Sequence, residues 1–205
     1  MNLGVSRARN IGLQKAKGEY IWILDIDTIA NKETFDTMLC FIESNKLCGI
    51  CGSKQASSEG FVQDSCRKLP SVTYKIYTFL EILFSKVGFL KRFVPRIKEL
   101  NESQFYHSQM QQNTPFEVEY IIGANQLIRK KAADETGLLD ENIFYGPEDA
   151  DYCLRMAMHG WKIFYLPQVS IIHEYQRITN KKLFSKMTFK HAKALIYFFW
   201  KHKRI

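Results

Sequence analysis

Two aspartates, Asp25 and Asp27, stand one residue apart at the end of the apolar run Tyr20-Ile21-Trp22-Ile23-Leu24. Paired carboxylates in that position supply hard oxygen donors. They suit magnesium or manganese, which keep positions open for water and substrate phosphates. The two side chains project the same way if the strand persists and splay if it turns. A buried strand that ends in paired acids also calls for a counter-ion. A second acidic cluster, Gly146-Pro147-Glu148-Asp149-Ala150-Asp151, opens a helical stretch. Capping and the helix dipole account for one or two of its three acids. The excess leaves room for a general base, with Asp149 or Glu148 as the candidate. Arg155 follows Asp151 by four residues, the spacing for pairing on one helix face. His173 follows an apolar strand; a lone histidine is more often structural than a ligand, so its position matters only in company.

The elements that must position these groups follow from apolar periodicity and turn residues. Ala8 to Lys17 has helical composition and stops at Gly18. Tyr20 to Leu24 reads as a strand buried on both faces. Asn31 can cap a helix through about Ser44, with Phe35, Met38, Leu39 and Ile42 on one face. Short strands are expected over 49–53, 117–122, 125–128, 162–166 (ended by Pro167) and 169–172. Helices are expected over 130–136, closed by Gly137, and 148–159, ended by Gly160. Val72 to Val94 reads as an amphipathic helix or helix pair hinged near Gly88, while 57–113 as a whole has no clear period. Strands alternating with helices indicate an α/β sandwich on a mostly parallel sheet. Ligands of such sheets collect beyond the carboxyl ends of the strands, where Asp25 and Asp27 sit.

An ordered set of motifs is more specific than any of these alone. Asn2-x-Gly4-x-x-x-Ala8-Arg9-Asn10-x-Gly12, Gly18-Glu19-Tyr20 and Leu24-Asp25-x-Asp27 resemble family 2 glycosyltransferases of the GT-A fold. Gly123-Ala124-Asn125, Ile128-Arg129-Lys130, Gly137-Leu138-Leu139-Asp140-Glu141, Glu148-Asp149-x-Asp151 with Arg155, Gly160-Trp161, Tyr165-x-Pro167 and His173 follow in the family's order. The nearest likeness is to the rhamnosyltransferase-like branch. The resemblance implies a nucleotide-diphosphate sugar donor, a saccharide or lipid-linked acceptor, and a divalent metal, Mg or Mn. It makes Asp25, Asp27 and His173 metal ligands, whose ligand atoms should then lie about 4–6 Å apart. It makes Asp149 the base, with Glu148 and Asp151 shaping the site. Arg7, Arg9 and Asn10 fall beside the donor nucleotide, and Gly123, Ala124 and Asn125 in a substrate-binding segment. The implied reaction is one in-line displacement that inverts the anomeric centre, in cell-surface polysaccharide or glycan assembly.

Complete family members carry a strand and a nucleotide-binding half before the segment that here begins at residue 2. The expected domain is therefore an N-terminally truncated GT-A unit over 1–176, followed by a basic, aromatic-rich helical tail over 177–205. A fragment, a misplaced start and a remnant all fit that expectation.

The 205 residues are 46% hydrophobic and 24% charged, which suits one folded domain. The net charge of +8 is concentrated at the end, since no acid follows Glu174. Arg177, Lys181, Lys182 and Arg204 belong to that basic run, and Phe184, Phe189, Tyr197, Phe198, Phe199 and Trp200 interleave with it. Such a run suits lipid headgroups or nucleic acid; the family resemblance implies peripheral membrane contact rather than nucleic acid, with a cytoplasmic location at the inner face of the cell membrane. Five scattered cysteines favour free thiols, and Cys48-Gly-Ile-Cys51 reads as part of a buried strand. No apolar run approaches the roughly 20 residues that span a bilayer. Two rival readings remain. Ile21 to Thr28 also fits the motif of haloacid-dehalogenase-like phosphatases, with Asp25 as nucleophile. A pseudoenzyme or basic membrane-associated module needs no catalysis at all.

Overall fold

This computed structural model describes residues 4–174 and 186–203. Asn2 of the first motif and Arg177, Lys181, Lys182, Phe184 and Arg204 of the basic run lie outside the described residues.

The chain opens with α1 (Val5–Lys15), three residues earlier than composition suggests. Gly4 makes that start possible: its φ is 86°, and a Cβ there would stand 2.8 Å from the carbonyl oxygen of Phe144. That close approach lets the Val5 N–H donate to the same carbonyl at 3.0 Å. The helix ends at Lys15, with Ala16 already extended, so Gly18 lies in the following turn rather than at the cap.

The central sheet has β1 (Tyr20–Leu24), β2 (Thr28–Ile29), β3 (Cys48–Ala56), β5 (Phe116–Glu117), β7 (Asn125–Arg129) and β8 (Lys162–His173). Its order is β1-β7-β3-β8-β2, with β5 also against β8. The expectation of a mostly parallel sheet is corrected here. Among the described residues only β3 and β8 pair in parallel; β7 is antiparallel to both β1 and β3. The reason is the insertion of β7, which separates β1 from β3 although β1, β3 and β8 all run the same way. The carboxyl ends of those three strands therefore still share one edge, which is the property the site needs.

Two strand details also differ. β1 is half-buried rather than covered on both faces, and among the described residues it stands at the edge of the sheet, beside β7. The strand through Lys162 does not stop at Pro167. It continues to His173, and the register against β3 shifts between Leu166 and Ser170. A bulge of that kind accommodates a proline that cannot donate to the ladder.

Helices cover both faces. α2 (Lys32–Ser44) starts where Asn31 accepts from the Thr34 N–H at 2.8 Å. It packs Met38 and Ile42, both fully buried, against Cys51, Leu127 and Leu166. Burial of each such side chain is worth about 1.5–3 kcal/mol. The opposite face holds the larger core, built from α6 (Lys130–Thr136), α7 (Glu148–Met158) and α8 (Lys186–His202). α8 brings Phe198 and Phe199 into that core. Cys48 and Cys51 are buried in β3 and free, as the strand reading requires.

The expected strand over 117–122 is divided between two sheets. β5 joins β8, whereas β6 (Tyr120–Ile121) pairs with β4 (Cys66–Arg67). Between β4 and β5 lies a helical excursion of α3 (Val72–Lys86), a 3-10 segment (Gly88–Phe93), α4 (Val94–Glu102) and short α5 (His107–Met110). The break at Val87–Gly88 coincides with the expected hinge.

Candidate active site

Asp25 and Asp27 sit where the chain leaves β1 and crosses the end of the sheet to reach β8. The Asp25 N–H donates to the Ala124 carbonyl at 3.2 Å, extending the β1–β7 ladder by one residue. The Thr28 N–H and hydroxyl both donate to the Asp25 carbonyl, at 3.1 and 2.7 Å, which closes the turn. β2 then pairs Thr28 with His173, and the Glu174 N–H donates to the Asp27 carbonyl at 3.0 Å. One ligand atom from each of Asp25, Asp27 and His173 lies within 4.8 Å of the others. Nε2 of His173 is 3.5 Å from Oδ1 of Asp27.

The imidazole is prepared for that position. His173 is buried, and its Nδ1 lies 3.0 Å from Oε1 of Gln55 and 2.9 Å from Oε1 of Gln63. The Gln63 amide nitrogen donates to the carbonyl of His173 itself at 2.6 Å, which turns its oxygen toward Nδ1. With amide oxygens on that side, Nδ1 is placed to donate, and Nε2 faces the carboxylates. An oriented imidazole nitrogen with two carboxylates is a donor set that fits a divalent cation, and the outer glutamines are the kind of support such ligands have.

The acidic cluster approaches from the other side. Asp149 accepts from the Gly123 N–H at 3.2 Å and from the Ala150 N–H at 2.8 Å. Burial nevertheless holds its carboxyl above the ordinary carboxylate range, against the pull of Arg9. Glu148 is more enclosed, and its Oε2 is buried with no hydrogen-bond partner among the described residues. Burial first, then the charge of Asp149, pushes Glu148 up to about 7. Adjacent carboxyls raised in this way suit proton transfer near neutral pH.

Arg9 joins the two clusters. It donates to Asp25 Oδ1 at 2.9 Å and to Glu148 Oε1 at 3.4 Å. Its guanidinium lies so close to Gly123 that a Cβ there would be 2.0 Å from Nη1. Gly123 is thus a residue of the site by its lack of a side chain, and Ala124 by its backbone.

Other expected site residues are not brought together here. Asp151 is completely buried and accepts from Arg155 Nε at 2.9 Å, Lys201 Nζ at 2.7 Å and His202 Nε2 at 2.8 Å. Burial would raise it, but those partners hold it below the usual range. Its work is to fasten α8 to α7, because its side chain points away from Asp149 into that interface. The same contacts spend Lys201 and His202 of the basic run inside the protein. Asn10 donates to the Leu139 carbonyl at 2.9 Å and accepts from the Leu139 N–H at 2.9 Å, fixing α1 to the loop after α6. Asn125 is buried in the sheet between Trp22 and Ser53. Arg7 is exposed, 3.8 Å from Glu141. Sequence reasoning missed Gln55, Gln63 and the bridging role of Arg9. Gln55 could have been found by extending the strand from Ser53 to the shared carboxyl edge; nothing local signals Gln63.

The sequence model described as Glycosyl transferase family 2 matches residues 1–137. The chain belongs to that family. Among curated relatives, this family 2 chain is 24% identical over 181 residues to "Rhamnosyltransferase WbbL" of Escherichia coli K12, covering 87% of this chain and 61% of that one. It is 22% identical over 175 residues to "dTDP-rhamnosyl transferase RfbF" of Shigella flexneri, covering 84% and 49%. The chain thus spans about half to three fifths of the length of these relatives. Among solved structures, mannosyltransferase PcManGT from Pyrobaculum calidifontis, in complex with GDP-Man and Mn2+, superposes with a TM-score of 0.53 at 15% identity. That match covers 98% of this chain and 44% of the other, and it shows the GT-A fold. Family 2 membership displaces the phosphatase reading of Asp25, whose carboxylate is paired with Arg9.

Proposed function

We propose that this family 2 protein transfers a sugar, with inversion, from a nucleotide-diphosphate sugar to a hydroxyl of a saccharide or lipid-linked acceptor in surface polysaccharide assembly. The observation that carries the reading is the convergence of Asp25, Asp27 and His173 at one sheet edge, linked through Arg9 to Glu148 and beside them Asp149. The rhamnosyltransferase names of both relatives make dTDP-rhamnose the first donor to test.

In this reading Asp25, Asp27 and His173 hold a divalent cation, Mg or Mn. Bound there, it would offset the negative charge that grows on a departing diphosphate. Asp149 receives the acceptor's proton at a carboxylate oxygen, and its raised affinity for protons favours that transfer. Glu148 shares the adjacent enclosure, and the charge of Asp149 helps to keep it protonated. Arg9 keeps the two acidic clusters in register, so that both ends of the displacement are positioned together. Gly123 keeps space for that guanidinium.

The test is turnover of dTDP-rhamnose and other nucleotide-diphosphate sugars with Mn2+, using Asp149→Asn. The substitution should preserve folding and donor binding while lowering turnover roughly 10²–10⁴-fold. Full activity in the variant would remove the base from Asp149 and leave Glu148 as its replacement.

A further inference from the structure

The α3–α4 excursion carries more apolar surface than a helix pair in water requires. None of the fifteen residues of α3 is buried, although most of its length is aliphatic or aromatic. Ile76, Phe79 and Leu83 of α3, Phe89 and Phe93 of the 3-10 segment and Leu100 of α4 are all exposed. Phe79 reaches 63% and Phe89 74%, the values of side chains in open solvent. Tyr77, Leu80, Phe84, Leu90 and Ile97 line a cleft of about 370 Å³ between the helices, with Arg96 at its side. Contiguous exposed apolar surface of this kind marks an interaction site.

Charge identifies the partner. From residue 82 to 98 there is no acid, while Lys86, Lys91, Arg92, Arg96 and Lys98 are basic. All five are exposed, and Arg92 stands over the Phe93 ring at 4.8 Å. Aromatic and aliphatic side chains rimmed by lysine and arginine match the boundary between acyl chains and anionic headgroups. No helix among the described residues is long and apolar enough to cross a membrane. The patch fits a surface that is entered from one side.

We propose that the α3–α4 tip docks on an anionic lipid bilayer, with Phe79, Phe89 and Phe93 entering the headgroup boundary and the apolar cleft accepting a lipid chain. The sequence favoured the basic C-terminal run for this contact. In the structure that run places Phe198 and Phe199 in the core and Lys201 in ion pairs. In the α3–α4 tip, Lys98 lies 4.0 Å from Glu81 and Arg92 stands over the Phe93 ring, while Phe79, Phe89, Lys86 and Lys91 stay exposed.

The proposal goes beyond the transferase reading, because docking requires neither donor nor turnover. Its test is flotation of the 205-residue chain with phosphatidylcholine vesicles, with and without phosphatidylglycerol. Binding should require phosphatidylglycerol and weaken with salt. It should fall roughly ten-fold or more in Phe79→Ser/Phe89→Ser and in Lys91→Glu/Arg92→Glu. Circular dichroism should be unchanged in both, since the substituted side chains are exposed. Phe189→Ser/Trp200→Ser, on the exposed face of α8, should leave binding intact. Absent or equal binding to both vesicle types would overturn the proposal. So would loss of binding in the α8 variant alone, or a dimer that Phe79→Ser/Phe89→Ser dissolves while vesicles have no effect.

Discussion

Arg9 donates to Oδ1 of Asp25 at 2.9 Å, so the first acid of the Asp-x-Asp pair is tied to helix α1. The second hydrogen bond of the same guanidinium reaches Glu148. Segments far apart in sequence are thereby set at one distance by a single planar side chain. A lysine offers one ammonium and cannot reproduce that fork.

Arg9→Gln should therefore destabilise the fold by about 1–3 kcal/mol, the range for lost charge-assisted hydrogen bonds. Arg9→Lys should recover only part of the loss. Urea denaturation of the three proteins measures both effects. A stability unchanged in Arg9→Gln would show that the bridge is incidental to the fold.

The raised Glu148 carboxyl gives a pH dependence of definite sign. Its value is about 7 in the folded protein, against 4.5 for an ordinary glutamate. The folded state therefore binds the proton more tightly than the unfolded chain. The stability linked to this group is fully present below about 4.5 and is lost as pH rises through about 7. Glu148→Gln, which stays neutral, should flatten that decline in thermal melts taken from pH 5 to 8. An identical decline in both proteins would assign it to other groups.

Much of this arrangement was legible in the sequence. The boundaries of β1, α2, α6 and α7 follow from apolar spacing, Asn31 and Gly137, because local chemistry decides them. The convergence of Asp25, Asp27 and His173 was legible only through the resemblance, since periodicity cannot bring strand ends together. The direction of β7 was not legible. A short apolar run fits a parallel or an antiparallel ladder equally well, and pairing with both β1 and β3 decides it. The Asp151–Arg155 pair follows the expected four-residue spacing, but the other partners of Asn10, Asn125 and Asp151 were not legible for a related reason. Each stands in a motif, yet its partners are Leu139, Ser53 and Lys201, which tertiary packing supplies.

The central claim is that Asp25, Asp27 and His173 together form a divalent-cation site. Its most direct measurement is electron paramagnetic resonance of Mn2+ titrated with the chain in the presence of a nucleoside diphosphate, since such sites take part of their affinity from substrate phosphates. The account predicts that the free Mn2+ signal falls to one bound ion per chain. It also predicts affinity roughly ten-fold or more weaker in both Asp27→Asn and His173→Ala, with circular dichroism unchanged. Mn2+ binding of equal affinity in the wild-type chain and both variants would contradict it.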